Sequence, residues 1–63
     1  MQIGDRYISS YKNTLKNAEV EIVELRNVFK CDMVIFKYIS PENLSDGWRH
    51  FTVPYFNEIF IPK

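Results

Sequence analysis

Apolar and polar positions alternate with a period of two over residues 18–25, AEVEIVEL, where Glu19 and Glu21 fall on one side and Val20 and Ile22 on the other. The β-branched content of this stretch favours a strand. The alternation slips at Val23, and one bulged residue there would restore it and turn Val23 and Leu25 inward. The stretch 33–39, MVIFKYI, is β-branched or aromatic nearly throughout, too apolar for a half-exposed edge, so it is expected as a central strand. Residues 48–53, WRHFTV, alternate Trp48, His50 and Thr52 with Arg49, Phe51 and Val53, and Phe51 and Val53 are expected to face the core. Tyr7 and Ile8 begin an extended segment after the Gly4-Asp5 turn, and FIPK closes the chain as a short strand that Pro62 ends.

The connections follow from turn chemistry. Residues 10–17, SYKNTLKN, are polar and read as a long loop, and residues 27–32 read as a short connection. In SPENLSDG, residues 40–47, Ser40 is placed to cap a single turn begun by Pro41, and Asp46-Gly47 is placed to reverse the chain. Pro54 suits the first position of one helical or 3₁₀ turn. Together these elements predict a mainly β fold: a small five-stranded SH3-like barrel with one 3₁₀ turn before the last strand, in a single domain over residues 1–63. A competing α+β reading places a helix at about 17–29 on a small antiparallel sheet, because Leu15, Ala18, Ile22, Leu25 and Phe29 also recur at helical spacing. Val20 and Val23 lie off that stripe, and the strand reading accounts for both.

GDRY, VEIVEL, VIFKYI and WRHFTVPYFNEIF together resemble small SH3-like proteins of phages and bacteria, many of unknown function, with Phe56 and Phe60 filling their closing F-x-x-x-F spacing. The resemblance implies a barrel, and because its motifs are short and structural it implies no particular function. Peptide-binding SH3 domains resemble a different pattern, since the first loop here is not acidic and no Trp pair is present. The preponderance of Phe, Tyr, Met, Ile, Asn and Lys over Gly, Ala, Arg and Pro fits the AT-rich genomes common among phages and low-GC bacteria.

Composition narrows the function. A chain of 63 residues must fold on one small core, worth no more than about 3–5 kcal/mol without staples. With one cysteine, Cys31, and one histidine, His50, it has neither an internal disulfide nor a metal site of ordinary ligand spacing, so no metal and no cofactor are expected. Eight basic and eight acidic residues balance to zero net charge, which removes the electrostatic footprint of a nonspecific nucleic-acid binder. No apolar run approaches membrane-spanning length, and Met1 is not followed by a basic and then apolar leader, so a cytoplasmic protein is expected, in the host cytoplasm if phage-encoded.

Catalysis is not expected. His50 has no evident partner, Ser9, Ser10, Ser40 and Ser45 lie in no nucleophile-elbow motif, and Asp32 beside Cys31 would raise a thiol pKa rather than lower it. The expected function is a binding module for a protein partner, acting through Leu44, Asp46, Trp48, Arg49 and His50 of the loop before the fourth strand. The alternative is a nucleic-acid-binding module using Arg6, Tyr7, Tyr11, Lys12 and Lys16, which mix cations with aromatic rings. A third class is a structural subunit, for which homo-oligomer formation would be the sign.

Overall fold

The computed structural model describes all of residues 1–63. Five strands, β1 (Arg6–Ser9), β2 (Glu19–Val28), β3 (Cys31–Ser40), β4 (Arg49–Thr52) and β5 (Phe60–Pro62), form one antiparallel sheet in the order β4-β3-β2-β1-β5. The protein is therefore mainly β, and residues 19–28 are strand rather than helix. The bulge expected at Val23 is present, because Ile22 pairs with Phe36 while Glu24 pairs with Ile35.

One sheet face carries the core. Tyr7, Val20, Ile22, Val34 and Phe36 are buried from the sheet, and Ala18, Phe56 and Phe60 complete the cluster. Phe36 is the hub, with ring centroids 5.1 Å from Phe51, 5.2 Å from Phe56, 5.6 Å from Phe60 and 5.7 Å from Tyr38. These tilted and edge-to-face arrangements suit the quadrupoles of the rings.

The structure corrects the expected layout in several places. The sheet is not closed into a barrel: β4 and β5 are its two outer strands and do not pair. They are short, at four and three residues, and the chain between them forms an α-helix, α1 (Val53–Ile59), of seven residues, longer than the single helical or 3₁₀ turn expected at Pro54. Pro54 near the start of α1 costs no hydrogen bond there, and the buried Phe56 fills space that a closing strand pair would otherwise cover. The single turn expected at Pro41 is present as a 3₁₀ turn at Glu42–Leu44, but it has no side-chain cap from Ser40. Leu25 follows the bulge onto the inner side opposite the buried Val34 but is itself 40% exposed, because no strand pairs with β2 on its other side at this point.

A further correction is at residues 27–32, which do not form a loose connection. The ladder continues through Asn27↔Asp32 and Val28↔Cys31, leaving Phe29 and Lys30 alone as the turn. Both have positive φ, 49° and 65°, as a two-residue hairpin turn of type I′ demands. Asn-Gly is the favoured pair for this turn, since a Cβ in left-handed backbone costs about 1–2 kcal/mol per residue. The double substitution Phe29→Asn, Lys30→Gly is therefore expected to stabilise the fold by about 1–2 kcal/mol. Thermal melts check this, each kcal/mol raising Tm by about 4–8 °C in a domain of this size. An unchanged or lowered Tm would mean that the turn is not strained.

The 10–17 loop is tied down by polar side chains. Ser10 and Asn13 are buried: Ser10 Oγ donates to the Glu58 carbonyl at 2.8 Å, and Asn13 Nδ2 donates to that of Ile59 at 3.1 Å. The amide N–H of Leu15 donates to Asn13 Oδ1 at 2.9 Å, so one side chain holds both the loop and the end of α1. Ser9 Oγ donates to the Leu15 carbonyl and accepts from the Ala18 amide, closing the base of the same loop.

Candidate functional site

The sheet face away from the core carries two chemically different regions. Over β1, the start of β2 and β5 it is a charge network. The Arg6 guanidinium meets Glu19 and Glu21, each at 2.8 Å, and Lys63 Nζ meets Glu19 at 3.0 Å. The hydrogen bond from Lys63, and next that from Arg6, hold the Glu19 carboxyl below the ordinary glutamate value of 4.5. A carboxylate whose pKa is lowered on folding contributes stability above its unfolded pKa, and loses it as pH falls through the folded value. Stability is thus expected to decline as pH drops below 4.5, and Glu19→Gln to flatten that decline in urea midpoints measured across an acid series. An identical acid profile for the variant would show that these pairs do not couple to folding, as exposed ion pairs often do not.

Over the far half of the β2–β3 hairpin and β4 the same face is more apolar. The register aligns Glu24, Ile35 and His50 in one cross-strand row, and Arg26, Met33 and Thr52 in the next. Val28, Met33, Ile35 and Trp48 supply the apolar lining of a groove of about 350 Å³, and its polar lining comes from Glu24, Arg26, Arg49 and His50. Trp48 immediately precedes β4 and is 65% exposed, a large apolar surface left in water.

The loop before β4 is held where it meets the sheet. Gly47 takes φ 75°, a left-handed turn conformation that a side chain would oppose. The Arg49 guanidinium donates to the Asp46 carbonyl at 3.0 Å and lies 5.5 Å from the centre of the Tyr38 ring. Burial pushes the Tyr38 hydroxyl pKa up, while the nearby Arg49 charge works against that shift. Arg49 thus anchors the turn from which Trp48 projects.

Of the five residues expected to bind a protein, Trp48, Arg49 and His50 come together along this groove. Leu44 is half-buried in the 3₁₀ turn and Asp46 is exposed in the following bend, and neither lines it. The residues of the nucleic-acid alternative are divided. Tyr7 is in the core, its ring 5.1 Å from Phe56, whereas Arg6 points to the opposite face and is occupied by two glutamates. Only Tyr11, Lys12 and Lys16 remain as an exposed group, with Lys12 Nζ 5.9 Å from the Tyr11 ring and Lys16 Nζ bonded to the Tyr11 carbonyl at 2.9 Å.

Sequence reasoning missed Phe29, which is 98% exposed at the hairpin tip, and the groove residues Met33 and Ile35. The available signal for Phe29 was the two-residue gap between strands in NVFKCD, hidden because neither turn position, Phe29 or Lys30, is Asn or Gly. Comparison with protein families, curated proteins and solved structures returns no match for this chain.

Proposed function

We propose that this protein is a non-enzymatic binding module that engages a protein partner through the outer face of β2, β3 and β4. The observation that carries the reading is Trp48, mostly exposed at the border of a groove with an apolar lining and charged residues around it. Tryptophan and arginine are the residues most enriched among interface hot spots, and here Arg49 is adjacent and already ordered by Asp46 and Tyr38. The resemblance to small SH3-like proteins of phages and bacteria makes a host protein the expected partner class and the host cytoplasm the expected place of action.

Nucleic acid ranks lower as a ligand, because the cations and rings that would form its site are split between the core, an ion-pair network and one small loop. The test is affinity capture from a host lysate with and without nuclease, run in parallel on the natural chain and on Trp48→Ala. Capture that survives nuclease and fails for the variant supports the reading. Capture that nuclease abolishes, or that the variant retains in full, overturns it.

A further inference from the structure

β2 is covered along only part of its length on the side of β1. The β1 ladder ends at Arg6↔Glu21, and the last backbone bonds from the N-terminal segment reach Ile22, from the Gly4 amide and to the Asp5 carbonyl. From Val23 to Val28 the strand pairs with β3 on one side only. An open edge exposes unpaired amides and carbonyls, and proteins usually guard such edges with proline, short length or charge. This edge, VELRNV, has no proline, and its two charges, Glu24 and Arg26, are of opposite sign and two residues apart. They form an ion pair with each other on the outer face, while Leu25 between them is 40% exposed on the inner one.

We propose that this edge pairs with the same edge of a second copy of the chain, antiparallel about a two-fold axis at Leu25. In that register Glu24 of each copy lies opposite Arg26 of the other, Leu25 lies opposite Leu25, and Val23 lies opposite Asn27. Opposite charges across antiparallel strands are favourable and like charges are not. The pleat restricts self-pairing to residues on one face, so the neighbouring registers are centred on Glu24 or on Arg26. The first sets two glutamates against each other and the second two arginines, so the charge pattern selects the register centred on Leu25. The contact is isologous and closes at two copies. Zero net charge leaves no long-range repulsion to oppose it. The edge lies on the side of the hairpin away from β4, and Glu24 and Arg26, which border the Trp48 groove, reach it from the outer face.

Sedimentation equilibrium of the purified full chain, diluted from millimolar to low micromolar, tests the proposal. The natural chain is expected to pass from two copies to one, with amide exchange over residues 23–27 slowing as concentration rises. Glu24→Arg and Arg26→Glu should each weaken association by about tenfold or more, since each replaces two attractive cross-strand pairs with two repulsive ones. The double variant Glu24→Arg, Arg26→Glu restores the complementarity and should recover dimerisation. Far-UV circular dichroism confirms that all three fold, as both positions lie outside the buried core. A natural chain that stays monomeric at millimolar concentration overturns the proposal. So does association that ignores the single reversals, grows beyond two copies, or is not restored by the double variant.

Discussion

Phe36→Ala is expected to leave the chain unfolded at room temperature. Phe36 is fully buried on the interior strand β3, and its ring meets four other aromatic rings at centroid distances of 5.1 to 5.7 Å. Truncating such a residue removes its transfer free energy and leaves a cavity, at a combined cost of about 3–5 kcal/mol. A single core in a chain this short supplies about 3–5 kcal/mol in total. The two are equal within their spread, so the substitution consumes the whole margin. Far-UV circular dichroism should lose the strand signal, and near-UV bands of the packed aromatics should vanish. Phe36→Leu keeps much of the volume and should cost only about 1–3 kcal/mol, leaving a folded domain with a lower Tm. Cooperative melting of Phe36→Ala near the natural Tm would show that the ring cluster is not what holds the sheet to α1.

Trp48→Ala is expected to have the opposite profile, with a large loss of binding and little loss of stability. The side chain is 65% exposed and lies outside the buried core cluster. Its removal should move the urea midpoint by no more than an ordinary surface substitution, within about 0.5 kcal/mol. If Trp48 is the anchor of the proposed protein interface, the same change weakens partner binding by more than about 2 kcal/mol. As the only Trp in the chain it reports on itself. Its emission should be that of a solvent-exposed indole in the free protein and shift to the blue when the captured partner is added. The pairing of the two readouts decides the matter. An unfolded variant makes Trp48 a core residue, and a folded variant with unaltered affinity removes it from the interface.

Elements whose pattern is local were legible in the chain. The alternation of Glu19 and Glu21 with Val20 and Ile22, its slip at Val23, and the apolar run at 33–39 pointed to two strands and a bulge, against a competing helix at about 17–29. The two strands and the bulge are present. The pattern was legible because strand geometry sends successive side chains to opposite faces whatever they later pack against. Phe56 and Phe60, which fill the closing F-x-x-x-F spacing, are both buried in the core. The exposed position of Trp48 followed from the same logic, since it falls on the polar side of its alternation.

Other features depend on contacts between distant residues. Tyr7 and Tyr11 look alike in the chain, yet Tyr7 lies in the core and Tyr11 is 85% exposed, because β1 pairs with β2 and β5 and the chain leaves the sheet after Ser9. Arg6 reads as a free cation until β2 brings Glu19 and Glu21 beside it. The buried Asn13 reads as an ordinary loop residue until the end of α1 presents the Ile59 carbonyl to it. Closure of the barrel was decided at the same level: residues 53–59 wind into a helix whose Phe56 fills the core, and the short strands β4 and β5 remain outer strands of an open sheet. The alternation set which side of a strand each residue occupies, whereas strand pairing decided which of those sides meet the core, a counter-ion or water.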